Sequence, residues 1–224
     1  MSNSPVMNQI VVSRVYSNGL LEFVKQVNTN GRGTNVTTPD SLQSQGSIRV
    51  FGRHLFVVNP GSGTLSLFSI EESDGTEIQL VSVESTNGDF PMSVIVNDMY
   101  ACVLNGGVIN GFRCFSYKSN KLIAILSFDR SLTSFVTQTD PPIIFNSLSQ
   151  IGFSADNLAI LILAKGDIAG NIGFLLTYPI DRHGALALNP LETTTQDTLF
   201  PFAMLLVGHN SLFIVGVILL RLVS

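Results

Sequence analysis

Residues 44–70, SQGSIRVFGRHLFVVNPGSGTLSLFSI, decide how this chain is read. A short apolar run at 48–51 meets a turn at Gly52-Arg53. A second run follows at 54–58, then a loop of Asn, Pro, Gly and Ser at 59–63. A third run covers 64–70, and DGTEIQLVSV (74–83) supplies a fourth after an acidic turn. The runs are too short for helices, rich in β-branched and aromatic residues, and punctuated by Gly, Asn and Asp. Those are the marks of strands. The unit is a four-stranded antiparallel meander, with strands a, b, c and d.

The same unit recurs. FPMSVIVNDMYACVLNGGVINGFRCFSY (90–117) with SNKLIAILSF (119–128) is a second copy. LSQIGFSADNLAILILAKGDIAGNIGFLLTYPI (148–180) with HGALALNPLE (183–192) is a third. QIVVSRVYSNGLLEFVKQV (9–27) reads as strands c and d around Asn18-Gly19. FPFAMLLVGHNSLFIVG (200–216) reads as strands a and b around 208–210. Four strands per repeat is the signature of β-propeller blades. The expectation is one all-β domain over 1–224, a partial propeller of about three to four blades. It comprises a half blade at 8–30, blades at about 44–85, 90–130 and 147–195, and a half blade at 199–224. The terminal halves either pair into one blade and close a four-bladed ring, or belong to a larger propeller. If they stay apart, open blade edges invite self-association.

Composition agrees and excludes other classes. Of 224 residues, 45% are hydrophobic and 12% charged, against about 25% charged in ordinary domains, so disorder is excluded. Twelve basic against 16 acidic residues give a net charge of −4, with no basic patch for nucleic acid. Two cysteines cannot make a disulfide scaffold or a four-cysteine metal site. MSNSPVMNQI lacks the basic and apolar regions of a signal peptide. The apolar run 211–220, SLFIVGVILL, is too short to cross about 30 Å of hydrocarbon as a helix. It reads as a buried strand, with a tail anchor as the alternative.

The order of several motifs then resembles the seven-bladed lactonase-type propellers, which include bacterial 6-phosphogluconolactonases and fungal carboxymuconate cyclases. The carriers are Ser44-Gln45-Gly46, FVVNPGSGTLSLFSI (56–70), GDFPMSVIVN (88–97), CVLNGGVINGFRCF (102–115), DPP (140–142), SLSQIGFSADN (147–157) and LFPFAM (199–204). The likeness is strongest to the fungal secreted branch and covers roughly residues 8–215. It implies a lactonase or muconate-type cycloisomerase acting on a small lactone or dicarboxylate without a cofactor. It also implies a ring of seven blades, so this chain reads as a truncated member with impaired activity. GVILLRLVS (216–224) does not continue a blade. Relatives place a histidine, with arginine and glutamate partners, at the active pole. The matching positions near Gln45 and in Arg32-Gly33-Thr34-Asn35 hold no histidine, so no catalytic role is carried over.

A meander puts the d–a and b–c connections at one pole. That pole collects Gln45, Ser93 and Gln150 at strand starts, and Asn59, Asn105, Lys165 and Asp167 from b–c loops. Arg32 and Arg130 lie in the long d–a loops, and Arg130 resembles a family arginine preceding Ser-Leu. Arginine at such a pole suits a carboxylate or phosphate. The competing reading is that these groups only cap strands and turns. His54, His209 and His183 map to the opposite face.

Cys102 and Cys114 fall on strands b and c of one hairpin, as cross-strand neighbours. They form a disulfide in an exported protein or two buried thiols in a reducing cytosol. The compartment is therefore open: extracellular if an export signal precedes this start, cytoplasmic otherwise. Asn35-Val36-Thr37 is a glycosylation sequon that matters only on export. The glycine-rich loops precede no helix, so no phosphate loop is present. Glu71-Glu72-Ser73-Asp74 is too sparse for calcium, and no metal set is found. The expectations are a small-molecule lactone or carboxylate partner, no nucleic acid and no membrane span. A non-catalytic propeller that binds a partner is the alternative, and a poorly folding remnant is the third reading.

Overall fold

The computed structural model describes residues 1–34, 36, 40–196, 198–208 and 211–218. Strands account for almost all of its regular structure. β1 (Gln9–Val15) and β2 (Leu21–Asn28) form a hairpin. It turns at Gly19, whose φ of 84° suits a residue without Cβ. β3 (Ile48–Phe51), β4 (His54–Asn59), β5 (Thr64–Ile70) and β6 (Ile78–Ser85) pair in order as an antiparallel sheet. β7 (Pro91–Val96), β8 (Ala101–Asn105), β9 (Gly111–Ser116) and β10 (Ile123–Ala124) repeat that order, and β11 (Arg130–Ser131) also pairs with β9. β12 (Leu148–Phe153), β13 (Ala159–Ala164), β14 (Phe174–Pro179) and β15 (Leu191–Thr194) form the third such sheet. β16 (Thr198–Val207) and β17 (Ser211–Ile218) form a final hairpin. The chain is all-β with four-stranded antiparallel sheets consistent with propeller blades.

The sheets stack face to face through four apolar layers. Ile10, Leu55, Val57 and Phe68 join the first hairpin to the β3–β6 sheet. Phe56, Val58, Leu65 and Leu67 meet Val94, Val103 and Phe115 of the next sheet. The largest layer packs Phe90, Met92, Leu104 and Phe112 against Leu148, Ile151, Ile162 and Tyr178. Leu161 and Leu163 meet Met204 of the last hairpin. Alternation along each strand feeds both faces, which is why runs such as β4, β8 and β13 are almost wholly buried. Each fully buried Leu or Phe contributes about 1.5–3 kcal/mol.

Of the two closures left open, pairing of the terminal halves is not seen among the described residues, where β1–β2 and β16–β17 are separate two-stranded sheets. Other expectations are corrected. The fourth strand of the second sheet is not continuous over 119–128. A 3-10 turn at Leu126–Phe128 splits it into β10 and β11, and Asp129 reaches back to Arg113 across the gap. The fourth strand of the third sheet lies at Leu191–Thr194 rather than 183–192. The earlier residues form a turn over Asp181–Gly184 and a single bridge, Ile180 to Leu186. Residues 211–218 are a strand, but not the buried one expected, since Phe213 and Val215 are exposed; 219–224 lie outside the described residues. No helix is long and apolar enough to cross a membrane among the described residues.

Both ends of the stack are bare. On β3, Ile48 and Val50 are 37% and 60% exposed. At the far end Phe213 and Val215 of β17 are 58% and 65% exposed.

Candidate functional site

The d–a and b–c connections share one pole, as the meander requires. Gly61 N–H donates to the Arg32 carbonyl, and the Arg32 N–H donates to Ser62 Oγ. A Cβ on Gly61 would lie 2.0 Å from the Gly33 carbonyl oxygen, so only glycine allows the two loops to meet.

Most residues expected at this pole hold blades together. Asn59 is fully buried. Its Nδ2 donates to Thr64 Oγ1 and Ser66 Oγ, and its Oδ1 accepts from Asn8 and Thr29. Ser93 is buried, donates to the Gln45 carbonyl and accepts from Ile151 N–H. Gln150 accepts from Met204 N–H through Oε1. Asp167 accepts from Asn146 in the connection before β12 and from Asn171 in its own loop, which holds its carboxyl below the ordinary range. Gln45 is exposed, and its N–H donates to the Ser149 carbonyl. Asn105 is buried; its Nδ2 donates to the Thr86 carbonyl and its Oδ1 has no partner.

Lys165 is 1% exposed, with its Nζ 4.5 Å over the Phe202 ring and donating to the Gln43 carbonyl. Burial lowers its pKa to about 8, and Asp40 pulls the other way. Gln43 and Ser44 are themselves buried, and Ser44 Oγ donates to the Met92 carbonyl. The connection from β2 to β3 is thus folded inward over the start of the first strands.

Arg130 sits differently from its expectation. Its guanidinium donates to the carbonyls of Ser127, Asp129, Leu186 and Ala187. It staples β11 to the turn of the third sheet, and burial lowers its pKa. This side chain is engaged by backbone carbonyls while the residue also lines a polar cleft with Asn105, Arg113 and Asp129.

One polar cleft at the pole, of about 260 Å³, is lined by Asn105, Asp129 and Arg130, among others; a second contains Arg32, which the sequence placed here, with Asp89 and Asp140, which it did not single out. Arg32, Ser62, Asp89 and Asp140 line this second cleft of about 300 Å³, with Gly61, Gly63 and Gly88 as its floor. The Arg32 guanidinium makes no hydrogen bond among the described residues. Asp89 Oδ2 accepts from Ile109 N–H, which fixes it. Asp140 is exposed as a residue, yet the protein around its carboxyl raises its pKa, first by desolvation and then through Asp89. The cleft thus offers one guanidinium, which can pair with an anionic group, and two carboxylates, which can move a proton. The signal was present in GDFP (88–91) and DPP (140–142), where an Asp stands one or two positions before a Pro in a d–a connection.

His54 lies on the opposite face, its ring against Tyr117 and its Nε2 2.7 Å from Asn120 Oδ1. His183 sits in the Asp181–Gly184 turn, and His209 and the sequon residues Asn35 and Thr37 lie outside the described residues. Among the described residues no cluster of three His, Cys, Asp or Glu is placed to hold a metal. Cys102 and Cys114 are bonded as a disulfide.

No family model matches the chain, and no curated protein matches it significantly. Solved structures do resemble it. A candidate 6-phosphogluconolactonase from Bacteroides fragilis superposes with a TM-score of 0.60 at 15% identity, over 92% of this chain and 57% of its own. A structural-genomics protein from Lactobacillus plantarum gives 0.58 at 12% identity, over 88% and 54%. A candidate 6-phosphogluconolactonase from Bacteroides uniformis gives 0.50 at 12%, over 92% and 70%. The chain spans little more than half the length of the first two. At these identities the likeness is one of fold. None of the three is fungal, so they lend no support to a fungal cyclase.

Proposed function

We propose that the chain is a lactonase-like propeller that takes a small anionic lactone in the cleft of Arg32, Asp89 and Asp140. One observation carries this reading: a guanidinium with no hydrogen-bond partner among the described residues shares a polar cleft with two carboxylates, one of them with a raised pKa. Arg32 holds the phosphate or carboxylate of the substrate. Asp140 takes the proton of a water that attacks the lactone carbonyl; the ring C–O bond then breaks and its oxygen receives the proton. A carboxylate whose pKa is raised by burial is a better base for that water than a solvated one. The substrate class and activity come from the fold likeness, and the open ends at β1 and β17 are expected to keep turnover slow.

A second reading, a propeller that binds without turnover, is favoured by the engagement of Asn59, Ser93, Gln150, Lys165 and Arg130 in structural bonds. The two part on one experiment. Hydrolysis of phosphorylated and unphosphorylated sugar δ-lactones is followed with wild type and Arg32→Ala. A lactonase hydrolyses the phosphorylated lactone above the buffer rate, and Arg32→Ala raises KM more than it lowers kcat. Binding of the corresponding acid with no turnover supports the second reading and overturns the first.

A further inference from the structure

A second cavity lies among the first strands of the sheets, apart from the polar cleft. β3, β7, β12 and β16 surround about 230 Å³ lined by Arg49, Ile95, Gln150, Phe153 and Met204, among others. Arg49 is the only charged residue in this lining, and the rest is mostly apolar. The Nε of Arg49 is buried and has no hydrogen-bond acceptor. Gly46 leaves room beside it, since a Cβ there would stand 3.2 Å from Nη2 and 3.4 Å from Nε. Gln150 presents Oε1 to Met204 N–H, which leaves its amide N–H groups without a partner among the described residues. Arg49 and Gln150 therefore stand in the lining of a mostly apolar space that holds no carboxylate.

A buried donor without an acceptor is costly, and in folded proteins such a group usually has an explanation. We infer that this cavity is a binding site for a small carboxylate with an apolar body. Arg49 pairs with the carboxylate, the Gln150 amide adds a donor, and Ile95, Phe153 and Met204 cover the body. Guanidinium and carboxylate match in shape and charge, and the pair strengthens where water is excluded. The site neither uses nor requires the Arg32 cleft.

The test uses the whole chain with benzoate as probe and benzamide as its uncharged counterpart. Arginine Nε–H signals are followed by NMR, and the Arg49 signal is identified as the one lost in Arg49→Lys. Benzoate is expected to shift that signal saturably and to bind at least about tenfold more tightly than benzamide. Arg49→Met should remove the preference, and Arg32→Met should keep it. Ile95→Phe, which narrows the cavity and leaves the charge, should weaken both probes. The proposal is overturned if benzoate and benzamide bind alike in the wild type, or if chloride moves the Arg49 signal as far as benzoate does. It is also overturned if Arg32→Met alone abolishes binding. Because the wild-type titration decides the matter, poor folding of Arg49→Met does not rescue the proposal.

Discussion

The ammonium of Lys165, at the end of β13, donates to the carbonyl of Gln43, 122 positions earlier in the chain. This bond pins the connection between β2 and β3 against the third sheet, and it buries a cation. Burial lowers the Lys165 pKa from 10.5 to about 8. Between about pH 8 and 10 the unfolded chain then binds more protons than the folded one, so stability rises with pH. The penalty present below that window is roughly 3 kcal/mol at most. Above it the raised pKa values of Tyr117 and Tyr178 act in the opposite sense. Urea melts from pH 7 to 10 should show the rise in wild type and a flat profile in Lys165→Met. An identical slope in both would contradict this account.

Asn59 ties three segments together: Asn8 before β1, Thr29 after β2 and Ser66 on β5. Asn59→Ala leaves buried partners unsatisfied and should cost about 2–4 kcal/mol in a urea melt. Gly31→Ala should act on the same network, since its Cβ would lie 2.3 Å from Asn59 Cγ. A loss under about 0.5 kcal/mol in both variants would show that the network is not structural.

Cys102 faces Cys114 in the β8–β9 ladder, and the bond between them closes a loop with a sequence separation of 12. A loop of that size constrains the unfolded chain by about 2–3 kcal/mol. Reduction, or the pair Cys102→Ala with Cys114→Ala, should lower the unfolding free energy in a urea melt by that much. No change on reduction would mean that the two sulfurs are not joined in solution.

The bare faces at the two ends of the stack predict self-association. Val11 on β1 and Val215 on β17 are 45% and 65% exposed on strands that have one partner strand each among the described residues. Light scattering should find the chain above its monomer mass of 24.2 kDa. Val11→Lys with Val215→Lys should shift it toward monomer, because charge on an open edge discourages pairing. A monomeric wild type would contradict the prediction.

Much of this fold was legible because the sheets are local. Turns such as Asn18-Gly19 and loops such as Asn105-Gly106-Gly107 separate runs that pair with their sequence neighbours, and the Cys102–Cys114 register followed from that. The departures arise where tertiary contacts outweigh pattern. SNKLIAILSF reads as one strand, but Asp129 reaching Arg113 breaks it. The pole was less legible. Asn59 and Lys165 stand at its b–c loops as expected, yet what they touch lies up to 122 positions away, and no local pattern encodes it. Arg32, Asp89 and Asp140 come from three separate connections, and only the stacking of sheets brings them to one cleft.

The most direct test of the central claim is the hydrolysis rate of 6-phosphoglucono-δ-lactone with wild type and Asp140→Asn, both shown to be folded by their urea melts. The account predicts a wild-type rate above buffer that falls by about 10²-fold or more in Asp140→Asn, as for loss of a general base. A wild-type rate equal to buffer, or one unchanged in Asp140→Asn, would contradict it.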